Sequence, residues 1–177
     1  MKKFILLLLF CIAITPNLFA DDKSSIYLGV DLGYLDPIFS STIYNQVGFK
    51  LDVAPGLEFS VPINYVLPLK DNFDSSSLGC ALNLDYHPFE NGLLFSFSLF
   101  DLAYVFGSDA PPCRLNYLNQ IGIGYSFPIN KFLFEPTILF INPNGVYDVT
   151  INQLKDSLGG YPTIRCQFIV SYKIFEI

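Results

Sequence analysis

Val47, Phe49, Leu51 and Val53 alternate with Gly48, Lys50 and Asp52, and Ala54-Pro55-Gly56 then reverses the chain. Beyond the reversal, Leu57, Phe59, Val61, Ile63 and Tyr65 alternate with Glu58, Ser60, Pro62 and Asn64. A period of two places each set on one face of a strand, so 47–65 predicts a β-hairpin with one strongly apolar face and one small or charged face. A lone hairpin is at best marginal in water. The apolar face therefore needs a solvent or a partner, and finding it constrains the rest of the chain.

The pattern recurs. Segment 26–35 sets Leu28, Val30, Leu32 and Tyr34 against Gly29, Asp31 and Gly33; 78–87 sets Leu78, Cys80, Leu82, Leu84 and Tyr86 against Gly79, Ala81, Asn83, Asp85 and His87. Segments 93–104, 117–127, 132–141 and 163–174 alternate likewise. A blurred phase at Phe100-Asp101-Leu102 predicts a β-bulge. Eight strands of roughly ten residues result, the length a tilted strand needs to cross a bilayer. Connections 36–43, 67–77, 105–114 and 142–160 are long, whereas 54–56, 88–92 and 128–131 are short. The three short turns thus share one end of the sheet with both termini. Within 142–160, VYDVTI alternates too and predicts strands projecting beyond the wall. Pro62 and Pro136 each remove a ladder donor, and bulges are expected to absorb them.

Which face points outward is decided by residue type. The polar face carries Gly29, Gly33, Gly48, Gly79, Ala81, Ser96, Ser98, Gly122 and Gly124, small residues that suit the crowded interior of a narrow barrel. A solvated sheet would carry Lys, Glu and Thr instead. The same face mixes Asp31, Lys50, Asp52, Glu58, Asp85, Glu135, Arg165 and Lys173, which must pair in a closed lumen. Asp31 with Lys50, and Glu135 with Lys173, are the expected pairs on adjacent strands. Tyrosines of the apolar face gather at strand ends: Tyr34, Tyr65 and Tyr117 at the long-loop end, Tyr86, Tyr125 and Tyr172 at the other. Two such girdles mark membrane interfaces. An open edge has no partner in lipid, so the sheet must close. The expected fold is all-β: an eight-stranded antiparallel up-and-down transmembrane β-barrel.

The N-terminus agrees with export. Lys2-Lys3, the apolar run 4–14 and Ala20 before Asp21-Asp22 form a signal-peptide pattern, so 1–20 is expected to be cleaved from a barrel domain of 21–177. Lipidation at Cys11 is disfavoured by Phe10, where Gly or Ala is wanted. Losing Lys2 and Lys3 leaves 8 basic against 16 acidic residues, a balance of −8, with no electrostatic footprint for nucleic acid. Cys80, Cys113 and Cys166 remain, an odd number; Cys80 and Cys166 fall on apolar faces of non-neighbouring strands and read as small hydrophobes.

The signal peptide, the eight alternating segments and the alternation of short turns with long loops resemble the small bacterial outer-membrane β-barrels of the OmpA, OmpX and OmpW type, over residues 26–177. The resemblance implies a bacterial outer-membrane location, with lipid and the barrel-assembly machinery as partners. It also implies extracellular loops at 36–43, 67–77, 105–114 and 142–160 that could meet a host or other ligand. The C-terminus departs from the pattern: Phe175 is out of phase with Phe168, Val170 and Tyr172.

Chemistry is sparse. His87 is the single histidine; it sits beside a short turn and reads as a strand-end residue without a base–orienter pair. The KDNFD stretch lacks the Gly and terminal Glu of a calcium loop. No enzyme activity, cofactor or metal is expected. The leading reading is a structural or surface-interaction barrel whose lumen is filled by charged side chains. An OmpW-like conduit for small or hydrophobic solutes and a soluble, secreted lipocalin-like barrel are the alternatives.

Overall fold

The last strand returns to the first, and that pairing closes the wall. The computed structural model describes residues 24–31, 33, 35–38, 40–89, 92–108, 110 and 115–176; the expected signal peptide, Leu32, Tyr34 and Cys113 lie outside them. The strands are β1 (Ser25–Asp31), β2 (Thr42–Ala54), β3 (Leu57–Pro68), β4 (Ser76–Tyr86) and β5 (Leu93–Phe106). They continue with β6 (Leu115–Tyr117), β7 (Gln120–Tyr125), β8 (Phe127–Ile129), β9 (Phe132–Ile141) and β10 (Ile164–Glu176). A 3-10 turn covers Asp36–Ile38, and one helix, α1, covers Asp148–Leu158. Strands β6, β7 and β8 together form the sixth wall strand, between β5 and β9. All pairings are antiparallel, and β10 bonds both β9 and β1.

The apolar faces point outward. Phe49 is 56% exposed and Val61 47%, whereas Lys50 between Phe49 and Leu51 is 4% exposed. This is the reverse of a soluble lipocalin-like barrel, whose apolar residues line the inside. Tyr65, Tyr104 and Tyr117 lie exposed toward the long-loop end, and Tyr86, Tyr125 and Tyr172 toward the short-turn end. Of the described cysteines, Cys80 is exposed on the outer face and Cys166 half-buried, both as free thiols.

The prolines need no bulge. Ser60 pairs Asn83 and Ile63 pairs Cys80 in one unbroken register, with Val61 and Pro62 simply unpaired toward β4. Pro136 acts likewise: β7 and β8 share one register on β9, and their break falls opposite Pro136. The bulges lie elsewhere. One at Leu99, where Leu82 pairs Phe100 but Asn83 pairs Ser98, turns Asp101 inward to 7% exposure and accounts for the blurred phase of β5. Another skips Ile174 on β10, and both Ile174 and Phe175 consequently face out. The expected turn at 128–131 shrinks to Asn130 (φ 59°) and Lys131, with Pro128 inside β8.

Gly48 lies opposite Pro62, and a Cβ there would sit 2.9 Å from the Pro62 Cα and from the Val61 carbonyl oxygen. Backbone cannot rotate away as a side chain can. Gly48→Ala is therefore expected to cost about 1–3 kcal/mol, read as a lowered denaturation midpoint of the refolded barrel; an unchanged midpoint would contradict this packing.

Projecting strands do not form at 142–160. The segment folds back as α1, because Ile151, Leu154 and Leu158 recur at helical spacing and Gly159 (φ 69°) supplies the left-handed C-cap. Asp148 in the first turn and Lys155 in the last suit the helix dipole. Asn142 fixes the entry: its amide nitrogen donates to Asp148 Oδ1 (2.8 Å) and its Oδ1 accepts from the Tyr147 backbone N–H (3.0 Å). The apolar stripe of α1 drops into the long-loop mouth against Tyr44, Val66, Ala103, Val105, Leu118, Ile141 and Tyr161. Leu154 and Leu158 are wholly buried.

Candidate functional site

Below the α1 plug, inward-facing residues of the wall strands and of two connections build two separate charge clusters. The upper one centres on Arg165 of β10, 2% exposed. Its Nη2 donates to Asp31 Oδ2 (2.6 Å) and its Nε to Asp36 Oδ1 (2.9 Å). Nη1 reaches Gln167 Oε1 at 3.3 Å and Gln46 Oε1 at 3.5 Å. The guanidinium also lies 4.3 Å from the Tyr44 ring centroid, a favourable stacking of cation on π-face. Both carboxylates are held further: Asp31 Oδ1 accepts the Gly33 N–H (3.1 Å) and Asp36 Oδ2 the Tyr44 N–H (2.7 Å). Burial raises the Asp36 carboxyl above its ordinary range, and Arg165 and the Tyr44 N–H offset part of that. Above the guanidinium, the Tyr44 and Tyr161 hydroxyls hydrogen-bond to each other, and burial raises the Tyr161 phenol.

The lower cluster centres on Lys50 of β2. Its Nζ donates to both Glu135 oxygens (2.6 and 2.8 Å) and contacts Glu58 Oε2 at 2.9 Å and Asp85 Oδ2 at 3.4 Å. Ser126 Oγ donates to Glu135 Oε1 (2.9 Å) and Ser96 Oγ to Asp85 Oδ1 (2.5 Å). The β7–β8 break opposite Pro136 lets Ser126 take that position. His87 points inward rather than to the membrane interface: its Nε2 lies 3.2 Å from Glu58 Oε1. Burial works against the imidazolium, but contact with the Glu58 charge outweighs it and the pKa is raised.

The sequence-derived set divides accordingly. Asp31 and Arg165 meet in the upper cluster; Lys50, Glu58, Asp85 and Glu135 meet in the lower. The expected Asp31–Lys50 pair does not form, because β1 aligns Tyr27 with Lys50 and Gln46 with Asp31. Glu135 and Lys173 are likewise apart: Glu135 aligns with Ile169, and Lys173 Nζ lies over the Tyr27 ring at 5.7 Å. Asp52 stands across from Glu58 at the mouth and accepts from Ser25. Asp36, Asp101 and Tyr161 were not among the expected lumen residues. Asp101 had a signal, the blurred phase; Asp36 and Tyr161 sit in loops and had none.

The short-turn mouth opens as a vestibule of about 1150 Å³, bordered by Tyr27, Asp52, Glu58, His87, Tyr125 and Lys173 among others. Beside Lys50 the interior keeps only about 30 Å³, room for about two water molecules. No protein-family model and no curated protein matches the chain. Among solved structures it is similar to the Yersinia pestis outer membrane protein Ail, determined as a backbone structure in a phospholipid bilayer nanodisc. The identity is 10%, the TM-score 0.48, and the match covers 87% of this chain and 100% of that one.

Proposed function

We propose that the chain is an integral outer-membrane β-barrel of structural or surface-interaction type, without enzyme activity. Its long-loop end faces outward from the cell and its short turns face the periplasm. The observation that carries this reading is the blocked lumen. At the long-loop mouth, Leu154 and Leu158 fill a ring of apolar side chains; below it, Arg165 and Lys50 are each tied to carboxylates from other strands. Moving an ion past them requires breaking buried pairs, each break costing about 3–5 kcal/mol. Partner contact then falls to the loops, where Ile38 (70% exposed), Val146 (69%) and Val149 (73%) stand in solvent.

Two measurements test it. The refolded full chain added to planar bilayers is expected to stay electrically silent under applied voltage; steady single-channel conductance would establish the conduit instead. In cells, the protein is expected in the outer-membrane pellet and to leave it only with detergent. Recovery in the soluble periplasmic fraction would contradict membrane integration.

A further inference from the structure

Three carboxylates, Glu58, Asp85 and Glu135, surround one ammonium, that of Lys50. With His87 as the imidazolium that Glu58 favours, the lower cluster still carries one uncompensated negative charge, and with His87 neutral two, in a confined space. Such an excess calls for protons or for a further cation. The same place offers metal-ligand geometry: one ligand atom each from Glu58, His87 and Glu135 lies within 4.8 Å of the others. His87 Nε2 and Glu58 Oε1 are 3.2 Å apart, close to the separation of about 3.3 Å between neighbouring ligands of a tetrahedral zinc ion with bonds of about 2.0–2.2 Å. His87 Nε2 and Glu58 Oε2 are both shut off from solvent, and their contacts are ionic ones within the cluster, to Glu58 Oε1 and to the Lys50 ammonium respectively. His87 and Glu58 also border the vestibule, which gives an entry path from the short-turn end.

We propose that Glu58, His87 and Glu135 form a site for a divalent metal ion of the zinc class, entered through the vestibule. An imidazole with two carboxylates favours such borderline ions over calcium or magnesium, which prefer all-oxygen sets. Lys50 remains compatible. When the metal takes Glu58 and one Glu135 oxygen, the ammonium keeps Asp85 and the other Glu135 oxygen, and the dication supplies the positive charge that the three carboxylates lack. The three ligands come from β3, the turn after β4, and β9, so the bound ion ties the neighbouring β3 and β4 to β9 across the lumen.

The test uses the full chain without a polyhistidine tag, refolded in detergent, with cysteines alkylated so that thiols cannot bind the metal. Titration with zinc chloride is expected to show one ion per barrel, and calcium chloride none at the same concentration. Because His87 is the single histidine, its imidazole nitrogen resonances report the site directly and must shift with zinc occupancy in the unaltered protein. His87→Ala and Glu58→Gln are each expected to weaken binding by more than about tenfold. Zinc binding that leaves the His87 resonances unmoved, or no binding at all, would overturn the proposal. The resonance measurement decides the matter even if a variant fails to refold.

Discussion

Replacing Arg165 with methionine is expected to lower barrel stability by about 3–5 kcal/mol, the range for removing one partner of a buried ion pair. The change leaves Asp31 and Asp36 facing each other without the guanidinium that separates them, at 5% and 1% exposure. Neither can turn to solvent. Asp31 is fixed on β1 with its Oδ1 on the Gly33 N–H, and Asp36 is fixed by the Tyr44 N–H. Methionine restores much of the volume and some contact with the Tyr44 ring, so the loss reports charge rather than a void. Adding Asp31→Asn and Asp36→Asn to Arg165→Met is therefore expected to recover a large part of it. The measurement is the guanidinium chloride midpoint of the refolded barrel in detergent. A loss below about 1 kcal/mol, the size of an exposed pair, would mean that water already reaches this cluster.

The wall was legible in the sequence because lipid enforces a period of two on every strand, and the interior was legible only as a list of inward-facing residues. Val47 to Tyr65 reads correctly strand by strand, down to the turn at Pro55-Gly56. Which charges meet depends on the stagger of strands around the barrel and on reach across the lumen. Lys50 of β2 finds Glu135 of β9 across the lumen, where adjacent-strand reasoning has no purchase, and Arg165 meets Asp31 of the neighbouring β1 only through the stagger of the two closing strands. Helix α1 was missed for a different reason. VYDVTI offers a short alternation, and the helical repeat Ile151, Leu154, Leu158 with its terminal Gly159 begins only where that alternation ends. Asp36 and Tyr161 belong to connections, where no periodicity separates a buried side chain from a solvated one. His87 stands out as the single histidine, and Glu58 lies on the strand next to it, but Glu135 belongs to β9, which only closure of the barrel brings near.

Leu154→Ala is expected to cost the plug about 2–5 kcal/mol, the range for truncating a fully buried leucine, while sparing the wall. Leu154 is wholly buried among side chains that rise from the ends of β2, β3, β5 and β9, whereas the ladder bonds of those strands involve no part of α1. The loss should therefore appear as local opening rather than global unfolding. On this basis the variant keeps the heat-modifiable migration of a folded barrel, yet the segment 142–163 becomes open to added protease. Asn142 and Gly159 at either end are natural hinges, each at positive φ. The Arg165 and Lys50 clusters stay in place beneath the opened mouth, so planar-bilayer conductance should remain absent in this variant. If conductance appeared with Leu154→Ala alone, α1 would be the gate of a pore, and the charge clusters would have to be read as its lining.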